Sequence, residues 1–232
     1  MATQYAFGKI VTDGLVLALD AADKNSYPGS GTTWRDMSGN GNNGTLTNGP
    51  TFNTAAQGNI NFEGTDDYTN FSAILNFTSE PFTFSYWINF NSLTTNQSGQ
   101  GPIIIYKGSY QQNGYYDQMS TNGAINFVTN QSGAYQITST NTSKVTTGIW
   151  YNISYTRNGS SIRIYVNGID STSIAGTHTN PTTSANAFRL ANYQNGYIYG
   201  NFKLANFQTY NRNLSASEIQ QKYNAQKARF GL

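Results

Sequence analysis

Phe82-Thr83-Phe84-Ser85-Tyr86-Trp87-Ile88-Asn89-Phe90 is the stretch that decides the fold. Its apolar residues recur at every second position, the period of a β-strand and not of a helix. Phe82, Phe84, Tyr86, Ile88 and Phe90 therefore share one face, and the segment reads as a half-buried strand. The same reading extends outward. Residues 149–156 and 162–166 make a second clear pair, joined by Arg157-Asn158-Gly159-Ser160-Ser161. Asn-Gly is the strongest short hairpin signal, because both residues tolerate the positive φ that tight turns demand. Asn167-Gly168 turns the chain again, and further Asn-Gly steps begin at Asn48, Asn113, Asn122 and Asn195. Shorter apolar runs place strands at 15–19, 60–62, 103–106, 124–128, 135–138, 188–191 and 202–210. The fold class expected is all-β: an antiparallel sandwich or jelly roll.

One helix is signalled. Ser215-Ala216-Ser217-Glu218 has the form of a capping box, with Ser215 as N-cap and Glu218 three residues on. Ile219 and Tyr223 are expected to face the sandwich, and Lys222, Gln226 and Lys227 to face water. The helix is expected to run to about residue 228, with Gly231 marking its end.

The chain has 232 residues, enough for one large β domain with a sizeable core. No composition break divides it, so residues 14–232 are read as one domain and residues 1–13 as an N-terminal arm. There is no Cys, which excludes disulfides and thiolate metal sites. The N-terminus lacks a basic-then-apolar signal pattern. The apolar run 15–19 stops at Asp20, too short to span a bilayer, so no membrane insertion is expected. The formal net charge is +2 and only 10% of residues are charged. No basic cluster exists beyond Lys222, Lys227 and Arg229, which argues against nucleic acid as a partner. Polarity comes instead from amides and hydroxyls, with thirty Asn. Seventeen Tyr and thirteen Phe supply the core.

Trp34-Arg-Asp-Met-Ser-Gly-Asn-Gly-Asn-Asn-Gly-Thr-Leu46 contains a false lead. Gly39, Gly41 and Gly44 spell the dinucleotide fingerprint, which needs a helix after it. Gly49-Pro50 follows within a few residues and forbids one. The glycines are read as turn formers.

With these segments on the page, the chain resembles the laminin-G-like, concanavalin-A-like lectin/glucanase superfamily. Residues 14–20 look like its first strand, and residues 34–46 like its opening signature. Residues 60–68 are similar to its F-D-G-x-D-D-Y segment, with Glu63 where Asp is usual. Residues 150–168 resemble its W-Y-x-x-x-Y-T-x-N-G hairpin, and residues 210–219 its closing strand and helix. The resemblance implies a concanavalin-A-like jelly-roll sandwich with one short C-terminal helix. It is specific for the fold and weak for function, since this fold hosts lectins, glycosidases, adhesion modules and virion proteins. The ending, residues 223–232, is similar to endings of bacteriophage structural proteins of the family.

Glucanases of the family carry E-x-D-x-E on one strand, which places an acid and a nucleophile on one face. This chain has eleven acids and no two at i,i+2. Two carboxylates from different strands could still meet in space. His178 is the only His, and it reads as an exposed loop residue rather than a triad member or a zinc ligand. The sequence argues against an enzyme.

Two binding chemistries remain. Asp36, Asn40 and Asn42 offer side-chain oxygens in a glycine-rich loop, and Asp66 and Asp67 could add charge. Ca2+ takes six to eight such oxygens, and the resemblance implies calcium at the sandwich rim. The competing reading is an Asx-turn, in which these side chains bond their own backbone. Asp66 and Asp67, adjacent in a strand, would point to opposite faces. Tyr110, Tyr115, Tyr116 and Asp117, among Gln111, Gln112 and Asn113, form the candidate ligand or partner surface. Tyr193, Tyr197 and Tyr199 around Asn195 are a second aromatic group. The function expected is a bacteriophage virion structural protein, a capsid decoration or fibre subunit at the virion surface. Its expected partners are other virion proteins, further copies of itself and a cell-surface glycan. The alternative is a stand-alone carbohydrate-binding lectin, and a glycosidase is third.

Overall fold

The computed structural model describes residues 10–95, 100–193, 196 and 198–232. Seventeen strands are found among them. The first six are β1 (Leu15–Asp20), β2 (Thr33–Trp34), β3 (Gly44–Thr47), β4 (Thr51–Asn53), β5 (Asn59–Glu63) and β6 (Tyr68–Asn70). Then come β7 (Phe82–Phe90), β8 (Ile105–Ser109), β9 (Asn113–Met119), β10 (Ile125–Gln131), β11 (Ala134–Thr140) and β12 (Trp150–Asn158). The last are β13 (Ser161–Val166), β14 (Ile169–Asp170), β15 (Thr172–Ile174), β16 (Arg189–Leu190) and β17 (Asn201–Tyr210), followed by the helix α1 (Ala216–Gln226).

The strands form two antiparallel sheets. The first has the order β14-β13-β12-β7-β17-β5-β4, with β1 also paired to β17. The early half of β17 pairs with β5 and its later half with β1, so one long strand carries two partners on one edge. The second sheet has the order β15-β11-β10-β9-β8-β16-β6-β3-β2. The core lies between the sheets. Phe82, Phe84, Phe127, Phe188, Phe207 and Tyr115 pack there, with ring centroids 5.1 to 6.4 Å apart in their contacts. Each such ring contributes about 1.5–3 kcal/mol by burial. This is the antiparallel jelly-roll sandwich that the alternation implied, with the one short C-terminal helix that the capping box signalled.

The strand 82–90 differs from expectation in one respect. It is buried on both faces, not half-buried. The inner residues fill the core, while the outer face lies under α1 and the chain end. Trp87 stacks on Phe230 at 4.0 Å and on Tyr223 at 5.7 Å, and its indole N–H donates to Gln226 Oε1 at 2.8 Å. Thr83 Oγ1 donates to the Arg212 carbonyl and accepts from the Leu214 N–H.

The helix begins as its capping box dictates, with Ser215 and Glu218 bonding each other's backbone. Ile219 is buried as expected, but Lys222 and Gln226 do not face water. Residues 219, 222, 223 and 226 share one helix face, and the sheet beneath it is polar as well as aromatic. The Lys222 amine donates to Gln208 Oε1 and to the Tyr210 hydroxyl.

The part of the N-terminal arm described here is docked. Val11 packs with Tyr165, Tyr210, Leu214 and Ile219, its carbonyl accepts from the Tyr210 hydroxyl, and Asp13 pairs with Arg212. Residues 1–9 lie outside the described residues.

The dinucleotide reading stays rejected, because the glycine loop leads into strand β3. Gly39 and Gly41 have positive φ, as turn formers do. Gly44 does not; it is a packing glycine, since a Cβ there would stand 2.7 Å from Thr69 and 2.8 Å from Phe71. The Asn113-Gly114 step is not a turn either. It lies within β9, and the chain reverses just before it, at Gln111.

Candidate functional site

Alternation along β9, β10 and β11 sorts their side chains between core and solvent. Tyr115, Met119, Ile125 and Phe127 point inward. Tyr116, Gln118, Asn126 and Val128 point outward and line a groove of about 540 Å³ on the outer face of the second sheet. Gln100, Ile103, Tyr110, Tyr135, Ile137, Tyr193 and Ile198 complete it. Tyr110 and Tyr135, 42% and 44% exposed, meet with ring centroids 5.3 Å apart. Tyr193 packs on Tyr106 at 4.5 Å, closing the other side. Polar groups interleave with the rings: Gln118 Nε2 donates to Gln100 Oε1 at 3.2 Å, and Asn126 Nδ2 donates to Ser120 Oγ at 2.9 Å.

None of the described lining residues carries a charge. Burial raises the Tyr106 and Tyr116 phenols further above their ordinary range, so they stay neutral. Exposed aromatic faces beside amide donors and acceptors can take a molecule that is apolar on one face and hydroxylated at its edge.

The structure divides the 110–117 surface. Tyr110 and Tyr116 belong to the groove. Tyr115 and Asp117 are fully buried between the sheets and offer no surface. The cause is the period of two: this segment is a strand, not a loop, so alternate residues enter the core. The Tyr115 hydroxyl donates to the Leu75 carbonyl at 2.7 Å. Asp117 Oδ2 accepts from the Tyr86 hydroxyl at 2.5 Å and the Tyr155 hydroxyl at 2.9 Å. Its Oδ1 accepts from the backbone N–H groups of Ile104 and Ile105 at 3.0 and 2.6 Å. The carboxyl thus ties the two sheets together, and burial raises its pKa to about 6. Of the second tyrosine group, Tyr193 lines the groove and Tyr199 stands 6.5 Å from Tyr68. Asn195 and Tyr197 lie outside the described residues.

The proposed cation ligands separate into two places. Asp36 Oδ1 accepts from the N–H groups of Ala18 and Ser38, and Oδ2 from Ser38 Oγ and the Asn42 N–H, all at 2.8–3.0 Å. Asn40 and Asn42 turn their amide N–H groups to the carbonyls of Leu15 and Val16. This is the Asx-turn arrangement, anchored to β1. A carboxylate already holding four donors does not fit a cation site.

Asp66 and Asp67 are not in a strand; they lie in the bend between β5 and β6. The bend removes the opposite-face constraint and brings them to Glu63. One carboxylate oxygen of each of the three lies within 4.8 Å of the others. Burial raises the pKa of Asp67 to about 6, and the neighbouring Glu63 and Asp66 charges add to the shift.

His178 is buried, not exposed. Its ring nitrogens bridge Thr129 Oγ1 and Thr138 Oγ1, both at 2.8 Å, and burial lowers its pKa to about 4. Both partners are threonines, so the imidazole has no carboxylate orienting it.

Sequence reasoning missed Tyr135, Ile137, Gln118 and Asn126 as groove residues. A signal for two of them was present. In β11 the apolar members Tyr135 and Ile137 alternate with Gln136 and Thr138, and it is the apolar face that lies open to solvent.

With this geometry in place, the family assignment follows. A model of the concanavalin A-like lectin/glucanases superfamily matches residues 63–220, and the chain belongs to that family. No curated protein matches the sequence. Among solved structures, the binding domain of Paraclostridial Mosquitocidal Protein 1 is similar, with a TM-score of 0.73 and 18% identity. The match covers 92% of this chain and 52% of that one. The ligand binding domain of botulinum neurotoxin serotype D, solved in complex with N-acetylneuraminic acid, has a TM-score of 0.71 and 17% identity, covering 93% and 52%. Botulinum neurotoxin type C, whose passage into cells depends on interaction with two ganglioside molecules, has a TM-score of 0.70 and 18% identity, covering 93% and 52%. This chain spans about half the length of these chains. At such identities the likeness shows the fold alone, a concanavalin A-like sandwich.

Proposed function

We propose that this chain is a glycan-binding domain that takes an uncharged sugar in the tyrosine-lined groove of the second sheet. The observation that carries the reading is the exposed Tyr110–Tyr135 pair set among Gln100, Gln118 and Asn126, with no charged side chain among the described lining residues. A sugar's C–H face stacks on such rings while its hydroxyls exchange hydrogen bonds with the amides. Two structural neighbours are tied to sialic acid or gangliosides. Among the described residues that line this groove there is no Lys or Arg to pair with a sialate carboxylate, which favours a neutral ligand. The reading is of a binding domain rather than a hydrolase, since no carboxylate is among the described residues that line the groove.

The test is a glycan array followed by calorimetry on the best hit. Tyr135→Ala removes an exposed ring and leaves the core intact. It is expected to weaken binding about tenfold, the equivalent of about 1.4 kcal/mol. Binding unchanged in Tyr135→Ala and Tyr110→Ala, or an array positive only for sialylated glycans, overturns the proposal.

Display of this domain on a virion surface, as repeated copies among other virion proteins, is the wider setting proposed for it. Its support is the similarity of residues 223–232 to bacteriophage protein endings. That ending also has a packing role here, because Phe230 covers Trp87 and Arg229 pairs with Asp20. Quantitative mass spectrometry of purified particles tests the setting, and absence of the protein from them refutes it.

A further inference from the structure

An Asn-Gly step forms turns, and it also exposes an asparagine amide to attack by its own backbone. Glycine has no Cβ to screen its nitrogen, so that nitrogen can reach the preceding side-chain carbonyl carbon. The chain holds eight such steps, of which the one at Asn195 lies outside the described residues. Six of the remaining seven are held by hydrogen bonds. Asn40 Nδ2 donates to Ser38 Oγ and Asn48 Nδ2 to the Asp66 carbonyl, both at 3.0 Å. Asn43 Oδ1 accepts from the Asp36 N–H and Asn167 Oδ1 from the Asn152 N–H, both at 2.9 Å. At Asn113 and Asn122 the glycine is held instead. The Gly114 N–H donates to the Thr182 carbonyl and the Gly123 N–H to the Ser120 carbonyl, both at 2.9 Å. In each case a bond must break before the two groups can meet.

Asn158-Gly159 is free at both groups. Asn158 ends β12, is exposed, and its carboxamide has no partner among the described residues. It pairs with Ser161, so Gly159-Ser160 is the two-residue loop of the hairpin. Gly159 has φ of +57°, and its N–H makes no hydrogen bond among the described residues. A Cβ placed on it would meet nothing within 4 Å, so the surrounding space is open. The end of a hairpin also opens locally at little cost.

We propose that Asn158 is a site of spontaneous deamidation, with water as the only co-reactant. The Gly159 nitrogen gives its proton to a solvent base and attacks Asn158 Cγ. The N–Cγ bond forms, the Cγ–Nδ2 bond breaks, and Nδ2 takes a proton from water and leaves as ammonia. The product is a five-membered succinimide. Water then adds to one of its two carbonyl carbons, and the bond from that carbon to nitrogen breaks. Opening at Cγ gives aspartate at position 158; opening at the main-chain carbon gives isoaspartate, whose backbone runs through the side chain. Nothing is oxidised or reduced, and a neutral amide becomes a carboxylate. The isoaspartate form lengthens the main chain at a hairpin that other segments lean on. The Ser160 carbonyl accepts from the His178 N–H at 2.8 Å, and Ser161 bridges to Thr177. The change is irreversible and first order, so it records the age of the molecule. This inference is independent of the glycan reading.

The experiment incubates the full chain at physiological temperature over a range of pH, folded and in urea. Peptide mapping by mass spectrometry follows every Asn-Gly step, and an isoaspartyl methyltransferase assay counts isoaspartate. In the folded protein, position 158 is expected to convert at least about tenfold faster than the other described steps, the equivalent of about 1.4 kcal/mol of barrier. The rate is expected to rise with pH, because the glycine nitrogen must lose its proton. In urea the protecting bonds are gone, and the steps are expected to convert at similar rates. Asn158→Gln, whose ring closure would need six members, is expected to remove the product at this position and leave the melt unchanged. Conversion of position 158 no faster than the other described steps in the folded protein overturns the proposal. So does the same ranking in urea, which would show that local sequence and not the fold sets it.

Discussion

Replacing Asp117 by Asn removes one ionisable group from between the sheets and leaves its shape in place. The carboxyl is fully buried, and burial raises its pKa from 3.8 to about 6 despite four hydrogen-bond donors. The folded protein therefore holds this proton more tightly than the unfolded chain does. Its contribution to stability is fully present below about pH 3.8 and is lost as the pH rises through about 6. A shift of this size corresponds to about 3 kcal/mol, of which about 2 kcal/mol falls between pH 4 and pH 7. Urea unfolding of the wild type and of Asp117→Asn at about pH 4 and about pH 7 measures it. The variant lacks the titration, so the stability advantage of wild type over variant is expected to shrink by about 2 kcal/mol across that interval. Asp67 titrates in the same range and direction, but it is present in both proteins and cancels in the difference. Two parallel stability–pH curves would refute the reasoning, because they would mean that Asp117 keeps an ordinary pKa in the fold.

Two other changes probe the face of the first sheet that the helix covers. Lys222 is buried, and burial lowers its pKa from 10.5 to about 7, so the unfolded chain holds that proton more tightly. Stability from this group is present above about pH 10.5 and falls as the pH drops toward 7. Lys222→Met is expected to flatten the rise in stability between neutral and alkaline pH, and urea melts with the same slope as wild type would contradict this. Phe230→Ala uncovers Trp87 and is expected to cost about 3 kcal/mol. Trp87 fluorescence should shift toward that of an exposed indole, and an unshifted spectrum with an unchanged melt would show that the stacking is dispensable.

The sequence alone determined the class of fold and most of its strands. Period-two alternation is a local property, and it reads as strand wherever the chain has one apolar face, as in residues 82–90 and 162–166. The capping box was equally legible, because Ser215 and Glu218 satisfy each other within one turn. The Asx-turn alternative for Asp36 was legible for the same reason: most of its donors come from residues within six positions of it.

Only the tertiary structure decided which face of each strand met the other sheet. Alternation assigns two faces but not their direction, so Tyr115 and Tyr116 were indistinguishable until β9 took its place between β8 and β10. The same holds for β11, whose apolar face points outward and helps make the groove. Lys222, Gln226 and His178 read as solvent-facing because polar side chains usually are. Their partners, Gln208, Trp87, Thr129 and Thr138, lie 14, 139, 49 and 40 residues away, and no local pattern announces a hydrogen bond of that span. The acid cluster stands between the two cases. Its residues are close in sequence, but their convergence depends on a bend, and the bend exists because β5 and β6 belong to different sheets.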